Sequence, residues 1–228
     1  MTNTITLRAY QQELLDRIRE ATRRHKGICV VLPCGGGKTV IFADIARTAA
    51  IKRKRVLIIS PMDTIEAQII DTLKTLAVEM DLVEVVSYKK ACTKAWLSKY
   101  DSDYFTSVIV DEAHHSCASS YKVIFEHFKD VYRFGFTATP ERLDGKPMSD
   151  AYQVLVEGPT AKTLIAEGHL CASQVDTNDS VRKNYKRKTS KSVDYTTREL
   201  GKMDLGASYL EVVHAYATVV KNGQAIAY

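Results

Sequence analysis

Five short apolar runs recur along the first part of the chain: Ile28–Leu32, Val56–Ile59, Leu82–Val86, Val108–Val110 and Val131–Phe136. Three are unbroken apolar stretches with β-branched side chains, the pattern of strands buried on both faces of a parallel sheet. The segments between them change period. Phe42, Ile45, Ala46 and Ala49 fall on one helical stripe, and Ile65, Ile69, Leu73 and Leu76 on another. Strand and helix in alternation predict an α/β domain over residues 1–176, with a doubly wound, mostly parallel sheet flanked by helices. A chain of 228 residues, 45% hydrophobic and 26% charged, has the length and balance for one such core plus a remainder. No apolar run approaches the ~18 residues of a membrane span, and the opening MTNTITLRAYQQ lacks the hydrophobic region of a secretory signal. A cytoplasmic protein is expected.

The remainder reads differently. Residues 177–204 are polar and basic, with Arg182, Lys183, Lys186, Arg187, Lys188 and Lys191, and are expected to form a linker or a phosphate-binding loop with Tyr185 available for stacking. Residues 205–228 regain helical character and stop at GQAIAY, which reads as the beginning of another buried strand. A second basic cluster, Lys52–Arg55, is expected as the loop between the first helix and the second strand. The net charge of +5 permits a polyanionic partner without demanding one. Five cysteines, odd in number and without a C-x-x-C pair, read as reduced thiols that mostly pack in the interior.

The string PCGGGKT, Pro33, Cys34, Gly35, Gly36, Gly37, Lys38 and Thr39, follows the first apolar run and opens the helix carrying Phe42. Consecutive glycines let the backbone wrap closely with N–H groups turned inward, and the helix adds the positive end of its dipole. That is a phosphate cradle. Lys38 would reach the β and γ phosphates of a nucleotide, and the Thr39 hydroxyl would ligate Mg²⁺. The usual G-x-x-x-x-G-K-[ST] spacing wants glycine where this chain has Leu32. A glycine-rich turn with an incidental lysine is the bland alternative. Cys34 is either a redox-sensitive thiol or a small loop filler.

VIVDEAHH ends a buried strand with Asp111 and Glu112, at the sheet edge where open α/β sheets bind ligands. An aspartate there can hold Mg²⁺ with Thr39, and the neighbouring glutamate can polarise a water attacking the γ phosphate. A metal site built from Asp111, Glu112, His114 and His115 is the competing reading, although the H-E-x-x-H pattern is absent.

With these two strings in this order, the chain resembles the first RecA-like lobe of a superfamily 2 DEAD/DEAH-box helicase, a P-loop NTPase fold. LRAYQ (Leu7–Gln11) is similar to an upstream element in which a glutamine like Gln11 recognises adenine. PCGGGKT, DEAHH and TATP (Thr137–Pro140) correspond to motifs I, II and III, and VSYKK to motif Ib. SPMDTIEAQ resembles motif Ia, which implies that Pro61 and Gln68 lie near the nucleic-acid backbone, with Met62 in place of the usual basic residue. FGFTATPERLDG and LIAEGHL narrow the resemblance to the subgroup of type III restriction subunits and phage or repair helicases.

The resemblance implies ATP and Mg²⁺ as cofactors, nucleic acid as partner with DNA favoured over RNA, and a bacterial or phage-encoded protein of the host cytoplasm. Thr137 and Thr139 would couple the γ-phosphate state to the nucleic-acid face. His114 would link the acidic motif to the opposite lobe, or stand as a satisfied half-buried histidine. The second lobe's arginine motif is not in this sequence, and arginine fingers are worth ~10³–10⁵ in kcat in related nucleotidases. The expectation is a lobe that binds Mg·ATP and hydrolyses it poorly by itself. The alternative is a single-lobe module that docks nucleic acid or protein without turnover. A P-loop kinase or GTPase would need an acceptor site or base-specificity motif, and Gln11 favours adenine.

Overall fold

The structure, a computed structural model, describes residues 6–115, 119–140 and 148–172, all within a compact unit bounded by Met1–Ala172. The expectations placed on residues 177–204 and 205–228, and on 141–147 of the PERLDG stretch, lie outside the described residues.

Six strands form the sheet: β1 (Gly27–Val31), β2 (Val56–Ser60), β3 (Val83–Ser87), β4 (Ser107–Asp111), β5 (Tyr132–Thr137) and β6 (Val154–Glu157). Their order is β3-β2-β4-β5-β1-β6, and every pair is parallel. The sheet is therefore wholly, rather than mostly, parallel among the described residues. Among the described residues seven α-helices accompany it: α1 (Ala9–Thr22), α2 (Lys38–Ile51), α3 (Asp63–Thr75), α4 (Tyr88–Ala91), α5 (Lys94–Leu97), α6 (Ser119–His127) and α7 (Ala161–Ala166).

Alternating side chains of each strand feed two separate cores. Ile28, Val30, Val56, Ile58, Ile109, Phe134 and Phe136 pack with Leu14, Leu15, Ile18, Ile41, Phe42, Ile69 and Leu73 of α1–α3. On the other face Cys29, Leu57, Ile59, Val108 and Val110 pack with Trp96, Tyr121, Ile124 and Phe128. Each fully buried side chain of this size contributes ~1.5–3 kcal/mol, so covering both faces fixes the strand register. Phe42 meets Phe136 edge-on at 5.5 Å, which ties α2 to β5.

The five expected strands are present with small shifts. Leu82 belongs to a 3₁₀ turn, Met80–Leu82, and Leu32 lies just past β1. Lys52–Arg55 does connect α2 to β2, and α1 precedes them as a helix the apolar stripes had not marked. The cysteine expectation needs correction: of the described thiols, Cys29 is buried, Cys92 is half-buried, and Cys34 and Cys171 are exposed. No helix among the described residues is long and apolar enough to cross a membrane.

Candidate nucleotide site

Strand order decides which side chains meet. β5 lies between β1 and β4, so the ends of these three strands are adjacent. Val31 stands opposite Thr137, and Asp111 opposite Phe136. The glycine loop leaves β1, the acidic pair leaves β4, and Thr137 ends β5 between them.

The loop takes its shape from glycine geometry. Gly35 (φ 74°) and Gly37 (φ 84°) occupy the left-handed region that other residues adopt only at a cost of ~1–2 kcal/mol. The Gly36 N–H bonds back to the Pro33 carbonyl at 3.0 Å. Leu32 is fully buried, and a Cβ on Gly36 would come within 2.8 Å of its Cγ. The residue that departs from the usual spacing is thus the apolar floor of the loop. Lys38 and Thr39 open α2, whose first turn holds no acidic side chain, leaving its positive end open to an anion.

Glu112 connects the loop to the acidic segment. Its Oε1 lies 3.8 Å from Lys38 Nζ, with Lys38 10% and Glu112 30% exposed at the side chain. Its Oε2 lies 3.4 Å from His114 Nδ1. Glu112 has φ 49°, an uncommon angle for a glutamate, placed at the turn out of β4. His114 Nδ1 is also 3.0 Å from Thr137 Oγ. Thr137 Oγ donates to the Thr139 carbonyl at 2.9 Å and accepts from the Thr139 N–H at 3.1 Å. With the hydroxyl proton committed, the His114 Nδ1–H is the donor, shared between Thr137 and Glu112. Lys38, Glu112, His114, Thr137 and Thr139 therefore form one continuous chain of polar contacts.

Asp111 sits behind this chain, buried. Burial pushes its carboxyl pKa up and the charge of Glu112 adds to that, against the lowering effects of the Glu112 N–H and of Lys38. The Glu112 N–H donates to Asp111 Oδ1 at 3.0 Å. A buried carboxylate beside a second one, faced by one lysine, is under-compensated, and that charge deficit fits a divalent cation. No group of three or more His, Cys, Asp or Glu able to hold a metal occurs among the described residues. Of the histidines in the competing metal reading, His114 is turned to Thr137 and Glu112, and the His115 side chain lies outside the described residues.

The upstream element reaches the loop from the other side. Gln11 is buried; its Oε1 accepts from the Arg8 N–H at 2.9 Å, and its Nε2 lies 3.5 Å from the Gly36 carbonyl. A Cβ on Gly37 would overlap that amide nitrogen. In this structure Gln11 braces the loop. Tyr10, part of the same LRAYQ string but given no role of its own there, donates its hydroxyl to the same Gly36 carbonyl at 2.9 Å. Pro61 follows the last residue of β2 at this sheet edge, half-buried, and Gln68 is exposed on α3; neither joins the contact chain.

The family described as "Type III restriction enzyme, res subunit" matches residues 4–95 and 80–142. A 51.5 kDa protein of a Lactococcus phage (isolate 7-9) is 32% identical over 200 residues, covering 86% of this chain and 42% of that protein. The putative ATP-dependent helicase IRC3 of Saccharomyces cerevisiae is 31% identical over 200 residues, covering 74% of this chain and 28% of that protein. The chain thus spans less than half the length of either relative. The UvsW helicase of bacteriophage T4 shares the fold, with a TM-score of 0.54 at 17% identity over 67% of this chain and 60% of that one. The sequence match extends over most of the described sheet and includes the loop and the acidic segment, and with it the chain belongs to the type III restriction enzyme res-subunit family.

Proposed function

We propose that this chain is the ATP-binding lobe of a nucleic-acid-dependent ATPase that couples ATP hydrolysis to DNA translocation or unwinding. The observation that carries the reading is the contact chain from Lys38 through Glu112 and His114 to Thr137 and Thr139. It joins the residue that would hold the γ phosphate to the end of the neighbouring strand.

Without nucleotide, Lys38 and Glu112 neutralise each other. An incoming phosphate is the stronger partner for the lysine, since it carries more charge and several acceptor oxygens. Glu112 is then released to orient the attacking water, held on its other oxygen by His114. Thr39 and Asp111 are the residues that would hold Mg²⁺. The ion would supply positive charge against the phosphates. Because Thr137 accepts from His114, a change at Glu112 moves the hydrogen bonds at Thr137–Thr139, the proposed coupling route to nucleic acid. Pro61 and Gln68, at the end of β2 and on α3, are the proposed backbone contacts, and DNA is favoured over RNA. A second lobe supplying arginines would complete the catalytic charge.

The test is phosphate release by the 228-residue chain with and without DNA, beside nucleotide-dependent DNA binding. Slow hydrolysis, lost in Lys38→Ala, is expected. Brisk DNA-stimulated turnover by this chain alone would overturn the need for a second lobe. Nucleotide-dependent DNA affinity with no phosphate release would make it a binding module instead.

A further inference from the structure

The turn that follows α7 packs directly on the glycine loop. Just past the end of α7 Gly168 has φ 73°, and the N–H groups of His169 and Leu170 both bond to the Leu164 carbonyl, at 2.8 and 3.0 Å. This left-handed stop reverses the chain and brings the next two residues to the nucleotide loop. Leu170 Cδ2 lies 2.9 Å from where a Cβ on Gly35 would stand. The His169 carbonyl accepts from Arg8 Nη1 at 3.3 Å, and the His169 ring meets the Tyr10 ring at 5.1 Å between centroids. Tyr10 in turn holds the Gly36 carbonyl at 2.9 Å. Two consecutive loop glycines are therefore gripped from opposite ends of the unit, Gly35 by Leu170 and Gly36 by Tyr10, with His169 joining the two grips.

We propose that His169 and Leu170 are positioning residues for the nucleotide loop. They hold Gly35 and Gly36 in the phosphate-binding shape before nucleotide arrives. Glycine loses more backbone freedom on ordering than any other residue, so an unbraced loop of three glycines must be ordered by its ligand. A braced one is ordered in advance, and the saving appears as affinity. A half-exposed leucine at this place is not needed to close the hydrophobic core, whose α7 anchor is the fully buried Leu164. Its contact with Gly35 is what Leu170 adds.

The brace can be measured without nucleotide, so its failure is separable from failure of the ATP-binding reading on which its second readout rests. In the 228-residue chain, Leu170→Ala is expected to raise hydrogen exchange of the loop amides 34–37 severalfold in nucleotide-free protein. It should also weaken binding of a fluorescent ATP analogue about fivefold, with Leu170→Met restoring both. His169→Ala should act in the same direction through Tyr10, whose ring the imidazole meets. Unchanged loop exchange in Leu170→Ala overturns the proposal, whatever happens to the melting temperature. So does faster exchange that Leu170→Met fails to reverse. If the unaltered chain does not bind the analogue while the exchange result holds, the brace stands and the ligand assignment falls.

Discussion

At Asp111 the requirements of folding and of the proposed chemistry pull apart. The carboxyl is buried beside Glu112, and both conditions raise its pKa above the ordinary carboxylate range. The folded chain therefore holds this proton to higher pH than the unfolded chain does. Stability is lost as pH rises from the ordinary carboxylate pKa through the raised one. Asp111→Asn removes the charge and keeps an oxygen for the Glu112 N–H. In chelator at pH 7 the variant is expected to be more stable than the parent, by the ~0.5–2 kcal/mol typical of substitutions that relieve an active-site cost. The advantage should shrink as the pH falls toward the ordinary carboxylate range, and hydrolysis should be lost. Thermal melts at both ends of that range check it. A lower midpoint for Asp111→Asn at neutral pH would mean that the attraction of Lys38 outweighs burial.

Strand β5 carries a comparable constraint on the scale of an element. Gly135 lies opposite Cys29 on β1 and Val110 on β4, in the middle of the sheet. A Cβ there would stand 2.5 Å from the Tyr152 hydroxyl and 2.7 Å from Ala113 Cβ. Tyr152 thus fills one side of the notch left by Gly135, and Ala113, of the segment that presents Glu112 and His114, lines another. Gly135→Ala is expected to cost ~1–3 kcal/mol by overpacking and to lower ATP hydrolysis with it. Adding Tyr152→Leu should recover part of the loss, so that the double variant is less impaired than the sum; strictly additive melts would count against the contact. This notch also shows where sequence reading stops. β1 to β5 were legible because burial on both faces leaves nearly unbroken apolar runs. β6 was not picked out, although Val154–Val156 is an apolar run as long as Val108–Val110; among the described residues it is an edge strand paired with β1, and Leu155 is 45% exposed. Lys38, Glu112, His114 and Thr137 were legible as strings on strand ends, and strand order brings them together. The contacts of Tyr10, Tyr152 and Leu170 are made across long separations by topology, and no local spacing encodes them.

For the molecule as a whole, the net charge of +5 says little until its placement is known. From Val85 to Tyr100 the chain has Lys89, Lys90, Lys94 and Lys99 and no acidic residue. All four lysines are exposed. Ser60 pairs with Ser87 in the β2–β3 register, so Pro61 and Met62 leave the sheet beside Tyr88, Lys89 and Lys90. Met62, 59% exposed, stands where the resemblance expects a basic residue, and the lysines after β3 restore positive charge to the same edge. Phosphate contacts made by lysine release counterions, each steepening the dependence of log K on log salt by ~0.9 on a duplex and ~0.7 on a single strand. If nucleic acid runs along this edge, replacing Lys89 and Lys90 together by alanine should flatten that slope by ~1.4–1.8 and weaken binding alike on all sequences. Titrations across a range of salt concentrations, on single-stranded and duplex DNA, measure both effects. An unchanged slope would take the backbone path away from the ends of β2 and β3, and with it the proposed contacts at Pro61 and Gln68. The nucleotide contact chain at β1, β4 and β5 would be left intact, because none of its members depends on these lysines.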